Sequence, residues 1–258
     1  MNLELSPREG YRFGRETFSE GIFCPRAYFV LCFLARTPIS VSGDRYEAEA
    51  GDLLLLIPGD ILYIPSAGGA ECLAWRFAPE DLFGDGSAFS SVLASGAVFP
   101  QSGQSRDVMS LVERACHRPE QDPSAGESAD LLSRMMLSEL LLHLSECASA
   151  PRGEGKVARA ADHLACHFAE QITLEDLSQA IDVSKFYLCR AFRRDSGLTP
   201  HAYLNLLRVL RADTLISEGA GAMASGAQVG FRDYTTFFRS YRKVLGCAPS
   251  GAPDPEEA

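Results

Sequence analysis

The chain has 258 residues, 46% of them hydrophobic, with 24 basic against 34 acidic side chains for a formal charge of −10. That length suits two domains with separate cores, and the acidic balance, taken over the whole chain, argues against a nucleic-acid partner. No apolar run is long enough to span a membrane and no basic-then-apolar signal opens the sequence, so a cytoplasmic protein without a membrane partner is expected.

Residues 11–80 carry short apolar runs broken by Gly and Pro: Tyr28 to Leu34, Ile39 to Val41, Arg45 to Ala48, Leu53 to Ile57, Ile61 to Ile64 and Cys72 to Phe77. This spacing predicts the strands of a β-sandwich or barrel. Within it, Gly51-Asp-Leu-Leu-Leu-Leu-Ile-Pro58-Gly59 resembles the second half-motif of cupin barrels. The likeness to metal-holding cupins stops there, because Asp60-Ile-Leu-Tyr63 follows the turn where a His is usual. His117, His143, His163, His167 and His201 all lie outside the strand-rich stretch, so no metal, cofactor or catalytic residue is expected and the chain is not expected to be an enzyme. His163 and His167 stand at i, i+4 and read as a solvated or packing face in preference to a metal pair. Cys24, Cys32, Cys72, Cys116, Cys147, Cys166, Cys189 and Cys247 show no CxxC spacing and read as small buried hydrophobes, with Cys24, Cys32 or Cys72 as redox sensor the alternative. Trp75 alternates with Leu73 and Phe77 while Arg76 takes the opposite face. Tyr28, Trp75 and Arg76 form the candidate effector site, an aromatic platform plus a cation suited to a sugar or small carboxylate. The competing reading makes Tyr28 and Trp75 ordinary core.

Helices are predicted over 104–118 and 128–147, separated by the turn-rich Arg118 to Gly126. Leu132, Met136, Leu140 and Leu144 make one stripe, and Leu131, Met135, Leu137, Leu141 and Leu142 spread apolar surface around the same helix. One face can cover the barrel; the surplus suits a homodimer contact or complete burial within one chain. Ala148 to Gly155 reads as a flexible linker.

The remaining residues use one supersecondary unit twice. Arg190-Ala-Phe-Arg-Arg-Asp-Ser-Gly-Leu-Thr-Pro200 recurs 49 residues later as Arg239-Ser-Tyr-Arg-Lys-Val-Leu-Gly-Cys-Ala-Pro249. Each copy ends a basic helix at Gly197 or Gly246, where a left-handed C-cap wants no Cβ. In the first unit, Thr173-Leu-Glu-Asp176 starts a short helix as a capping box, Asp182-Val183 turns the chain, and Ser184 caps a second helix. Tyr187, Leu188, Ala191 and Phe192 are its expected buried stripe. In the second unit, Ala222 to Val229 leads through Gly230-Phe231 to an N-cap at Asp233, with Phe237 and Tyr241 as the core stripe of the following helix. Between the units Pro200 opens a strut of some seventeen residues, which at ~1.5 Å per residue spans roughly 25 Å. That is less than the ~34 Å turn of B-DNA, so docking in successive major grooves requires tilted insertion or bent DNA.

With these motifs in place, residues 157–250 resemble the DNA-binding domain of AraC/XylS-type transcriptional regulators. The likeness rests on Ile172 to Leu177, Ser184 to Phe192, Gly197 to Tyr203, Arg208 to Ala212, Val229 to Phe231 and Phe237 to Tyr241, all in the family's order. It implies base-edge and phosphate contacts from Phe186, Cys189 and Arg190 in the first recognition helix and from Tyr234, Thr235, Phe238 and Arg239 in the second. Arg suits guanine O6/N7, while Lys185, Arg193, Arg194, Arg242 and Lys243 suit phosphate. The alternative for Arg190 and Arg239, which keep one place in both copies, is a structural or phosphate-clamping role. Cys189 and Phe238 offer at most an apolar surface to a thymine methyl.

Charge divides along the same line. Residues 1–155 hold 12 basic and 22 acidic side chains, residues 156–250 hold 12 and 9, and Asp254, Glu256 and Glu257 end the chain. Only the C-terminal module is net positive. The expected organisation is an all-β cupin-like effector barrel (1–100), a helical dimerisation segment (101–148), a linker (149–156), an all-α double helix-turn-helix domain (157–250) and an acidic tail (251–258). The expected partners are a double-stranded DNA operator, a second copy of the chain, a small-molecule effector in the barrel, and RNA polymerase. The alternative is control by a protein partner or by no effector, with the barrel a dimerisation scaffold. The second unit is expected to be the looser one, because Gly219, Gly221 and Gly226 crowd its first helix. Gly226→Ala should then stabilise if Gly226 is helical, and destabilise if another helix packs closely against it.

Overall fold

The computed structural model describes residues 2–5, 11–65, 68–82, 89, 92–93, 98–117, 126–147 and 155–249. The turn at 118–125, most of the expected linker and the acidic tail lie outside these residues. Contacts group the chain into two compact units, Met1–Val41 with Arg45–Arg152, and Ser42–Asp44 with Gly153–Ala258.

Among the described residues the first unit is built on ten strands: β1 (Asn2–Leu5), β2 (Arg12–Phe18), β3 (Gly21–Cys24), β4 (Tyr28–Phe33), β5 (Thr37–Val41), β6 (Asp44–Ala48), β7 (Leu53–Leu56), β8 (Leu62–Ile64), β9 (Ala70–Phe77) and β10 (Val98–Phe99). They form two five-stranded sheets, ordered β1-β3-β8-β5-β6 and β10-β7-β4-β9-β2. β3 and β5 each pair antiparallel with β8, β4 pairs antiparallel with β7 and β9, β2 with β9 and β10 with β7, while β1 pairs parallel with β3. The sequence left β1, β2, β3 and β10 undelimited. β2 alternates charged and apolar residues without a continuous run, and β1, β3 and β10 have four residues or fewer.

β4 and β7 read as unbroken apolar runs because they lie inside the second sheet and both faces of that sheet are covered. Phe29, Leu31 and Phe33 of β4, Leu54 and Leu56 of β7 and Cys72 and Ala74 of β9 point towards the first sheet, meeting Phe23, Ile39, Val41, Leu62 and Ile64. The alternate residues Val30, Cys32, Leu53, Leu55, Leu73, Trp75 and Phe77 form a separate layer with two helices, α1 (Arg106–Cys116) and α2 (Gly126–Leu144). Val108, Leu111 and Val112 of α1 and Leu137, Leu140, Leu141 and Leu144 of α2 complete that layer. A period of two thus sends successive side chains of each strand into different cores, and each fully buried Leu or Phe contributes on the order of 1.5–3 kcal/mol.

Among its described residues the second unit contains six helices: α3 (Lys156–Cys166), α4 (Leu174–Ile181), α5 (Lys185–Ser196), α6 (Pro200–Ser217), α7 (Ala222–Gln228) and α8 (Tyr234–Leu245). The caps read from the sequence are formed. Thr173 and Asp176 make a reciprocal capping box on α4, Ser184 accepts from Tyr187 N, and Asp233 Oδ1 accepts from Thr236 N at 2.7 Å. Asp182 turns the chain in left-handed conformation (φ 55°), and Gly197 and Gly246 end α5 and α8 the same way at φ 72° and 73°.

Two consequences follow from these contacts. Gly226 is helical, but a Cβ built there would lie 2.7 and 2.8 Å from Cγ and Cδ1 of Phe237, a ring that is 0% exposed and faces Phe231, Tyr234 and Tyr241. The stabilisation expected from helix propensity alone is therefore reversed by packing. Gly226→Ala should lower stability by about 1–3 kcal/mol in urea unfolding, and a gain would show that the Phe237 ring yields.

The second consequence concerns acid. Hydrogen bonds from the backbone and then the hydroxyl of Thr236 hold the Asp233 carboxyl below the usual range, and those from the Thr173 hydroxyl and backbone do the same for Asp176. A carboxyl whose value is lowered on folding contributes stability that is complete above its unfolded value and lost as pH falls through the folded one. Melting followed from neutral to about pH 3 should fall less steeply for Asp233→Asn, which keeps a cap acceptor but cannot titrate. An unchanged slope would remove Asp233 as a source of the acid sensitivity.

Candidate nucleic-acid interface

The first recognition helix, α5, is held by Leu188, Ala191 and Phe192, all buried, and the Phe192 ring meets Tyr203 of α6 edge-on at 5.1 Å. Lys185, Arg190, Arg193 and Arg194 are exposed, and Phe186 is 86% exposed. Tyr187 corrects the sequence reading: it is 47% exposed, because Leu188, Ala191 and Phe192 with buried Asp195 already complete an i, i+3, i+4, i+7 stripe. Cys189 is half-buried in the wall of an apolar hollow of about 240 Å³, with Leu164, Ile172, Leu174, Leu177 and Leu204.

The second recognition helix, α8, places Thr235, Arg239, Arg242 and Lys243 at the surface and leaves Tyr234 half-buried. Phe238 is the second correction. It is 3% exposed and sits with its ring 6.1 Å from Tyr234, so it belongs to the core and offers no surface to a groove. Phe238 and Cys189 are equivalent positions of the two copies, and both turn inward.

The exposed cations differ in their company. Among the described residues Arg190, Arg193 and Arg239 have no carboxylate within 4 Å. Arg194 donates from Nε and Nη2 to the two carboxylate oxygens of Asp195 at 2.6 and 2.8 Å, an arrangement that raises its pKa further. Lys185 Nζ meets Glu175 Oε2 of α4. The sequence motifs that contain Glu175 and Asp195 assign neither of them an ion-pair role. Asp195 was legible as the neighbour of Arg194, whereas Glu175 reaches Lys185 across the helix-turn-helix bend.

The strut α6 receives both reading helices. Besides the Phe192–Tyr203 contact, the Tyr241 hydroxyl of α8 donates to Asp213 at 2.6 Å. Arg208, 8% exposed, donates from Nε to Phe168 O and from Nη2 to Glu170 O, both at 2.7 Å, with its guanidinium 5.7 Å from the Phe231 ring. Gln171, in the same loop, donates to Gly230 O and accepts from Arg232.

The effector-site reading does not assemble. Trp75 is 2% exposed and stacks 4.8 Å from Phe13, and Tyr28 lies 5.6 Å from Phe77, both in the layer under α1 and α2. Arg76, half-buried, is carried to the opposite face of β9 by strand alternation. Trp75 is thus a core residue, Tyr28 packs half-buried against the same layer, and Arg76 stands on the other face of the strand.

Cys24, Cys32 and Cys72 are buried, which pushes the first two thiols up to about 12 and the third higher still and disfavours thiolate chemistry. Cys166 and Cys247 are exposed, so burial does not account for all eight cysteines. The His163 and His167 rings stack at 4.7 Å, and His167 Nδ1 lies 2.8 Å from Glu170. Among the described residues, no group of three His, Cys, Asp or Glu side chains is arranged to hold a metal ion, and no helix is long and apolar enough to cross a membrane.

Residues 177–252 match a family model described as a helix-turn-helix domain. The chain is 26% identical over 222 residues to the HTH-type transcriptional regulator YbfI of Bacillus subtilis (strain 168), covering 80% of this chain and 77% of that protein. It is 22% identical over 212 residues to the lactose operon transcription activator of Staphylococcus xylosus, covering 79% and 75%. A third relative, the HTH-type transcriptional activator RhaS of Salmonella schwarzengrund (strain CVM19633), is 29% identical over 147 residues, covering 57% and 52%. Among solved structures, the C-terminal domain of AraT, a response regulator from Geobacillus stearothermophilus, aligns with TM-score 0.36 and 24% identity over 41% of this chain and 96% of that one. With two capped helix-turn-helix units on one strut and relatives that are transcriptional regulators across most of its length, the chain is a DNA-binding transcriptional regulator similar to those of the AraC/XylS type.

Proposed function

We propose that this regulator reads its operator through α5 and α8 together. Arg190 and Arg239 supply the base-edge contacts, and Arg193, Arg242 and Lys243 hold the phosphates. The observation that carries this reading is the equivalence of Arg190 and Arg239, exposed at the same place in both copies and held in no salt bridge within 4 Å among the described residues, Arg239 lying only near enough to Asp233 to help lower its pKa. A cation kept only for the fold would be expected to have a carboxylate or carbonyl partner, as Arg208 does. Thr235 and Phe186 flank the two arginines as secondary contacts.

The N-terminal unit is assigned a scaffolding role in preference to an effector-holding one, since the space between its sheets is occupied by Phe18, Phe23, Phe29, Leu31 and Phe33. This keeps the cupin-like likeness of the Gly51 to Gly59 segment as one of shape. Leu131, Leu132, Met135 and Leu142 of α2 are 46–55% exposed, with Leu131, Met135 and Leu142 spaced to share one side of the helix. A stripe of three large apolar side chains with Leu132 beside it suits a second copy of the chain. The protein is accordingly read as a cytoplasmic homodimer without enzymatic activity, signalling to RNA polymerase or another protein from the promoter.

Operator sequences selected from a random duplex pool provide the test. Arg190→Ala and Arg239→Ala should each weaken the selected site by about 1–3 kcal/mol and relax its sequence preference, with melting unchanged. Wild-type affinity and preference in both variants would overturn the assignment of the reading faces. For the scaffold, Met135→Asp should convert a dimer to a monomer in sedimentation equilibrium while raising or preserving the solubility of the chain. A wild-type monomer at all concentrations would refute it.

A further inference from the structure

The four basic side chains of α5 occupy three different states. Arg190 and Arg193 have no carboxylate within 4 Å among the described residues. Arg194 is bound through two nitrogens to Asp195, whose side chain is 7% exposed, so parting them would break two charge-assisted hydrogen bonds to a buried carboxylate. Lys185 is paired with Glu175, and here both side chains stand about half in solvent, 50% and 54% exposed. An exposed pair of this kind is a weak one, worth on the order of a two- to five-fold equilibrium.

We propose that Glu175 is a latch on Lys185, a positioning residue that neutralises the first cation of the recognition helix in the free protein and yields it to a DNA phosphate on docking. The inference rests on the reading of α5 as the DNA-facing helix.

Three features make the exchange feasible. The pair joins α4 to α5 across the bend and lines an open polar hollow with Ser178, Gln179, Asp182 and Ser184, so the carboxylate can swing away without moving the backbone. Glu175 sits in the first turn of α4, where a released carboxylate is still favoured by the unpaired amides of the helix N-terminus. The cap of α4 is carried by Thr173 and Asp176, so the helix does not depend on Glu175 staying in place. The latch therefore lowers the affinity of α5 for any duplex by a small factor, and it falls on sequence-independent binding, where Arg190 gains nothing from a guanine.

The test measures binding of the full chain to a random-sequence duplex of about 25 base pairs, by fluorescence anisotropy, between about 50 and 200 mM salt. Glu175→Gln should bind roughly two- to five-fold more tightly than wild type at the low-salt end. Lys185→Ala should flatten the plot of log affinity against log salt by about 0.9. In the Lys185→Ala background, Glu175→Gln should gain clearly less than it does with Lys185 present, because only direct repulsion between carboxylate and phosphate is then relieved. An equal or larger gain without Lys185 would overturn the latch, as would a slope that Lys185→Ala leaves unchanged. If the wild-type chain binds the duplex with an ordinary salt slope and the coupling is absent, the latch alone fails. If it binds no duplex, the DNA-facing reading of α5 fails with it.

Discussion

The guanidinium of Arg208 organises the DNA-binding unit. It is buried, its pKa is lowered by that burial and by the nearby charge of Arg232, and it is compensated by two carbonyls, of Phe168 and Glu170, in the loop that follows α3. A charge taken out of water is tolerable only with hydrogen bonds of this quality, so the loop cannot leave α6 without a large loss. Gln171, in the same loop, bonds to Gly230 and Arg232 at the turn of the second helix-turn-helix. Gly230 is tight there, with a φ of 94° and no room for a Cβ against Ala169 O. The entrance to the first unit and the bend of the second are thereby fixed to one strut.

From that frame the two proposed reading helices hang by different chemistry. α5 is attached to α6 through an aromatic edge contact, Phe192 on Tyr203, and α8 through a buried hydroxyl–carboxylate bond, Tyr241 to Asp213. α8 also has a tightly packed neighbour in α7, where Gly226 admits Phe237. The glycines around α7, which by propensity alone signal weakness, thus include one that is required by close packing. Both candidate reading helices keep an arginine outward and the preceding residue turned in, Phe238 into the core and Cys189 into the wall of an apolar hollow.

In the N-terminal unit a single alternation separates two cores. Odd and even residues of β4, β7 and β9 go to the helix-covered layer and the inter-sheet layer respectively or the reverse, according to register. Trp75 falls to the helix side, where α1 and α2 cover it. The same helices leave Leu131, Leu132, Met135 and Leu142 uncovered within the unit, because α2 is apolar around most of its circumference and one sheet can bury only one side of it.

What the sequence determined by itself was local: the capping box at Thr173, the caps at Ser184 and Asp233, the glycines that end α5 and α8, and the duplicated register of Arg190 and Arg239. These depend on contacts within a few residues, which sequence spacing specifies. The central strands were legible for the same reason, as continuous apolar runs too short for helices. The tertiary structure decided what spacing leaves open: that Tyr187 lies outside and Phe238 inside, that the Trp75 face of its strand is the one covered by helices, that Phe237 occupies the room beside Gly226, and that Glu175 stands opposite Lys185. Each is settled by which remote surface a side chain meets, and the free energy of that meeting is a property of the pair, absent from either residue's own neighbourhood in the chain.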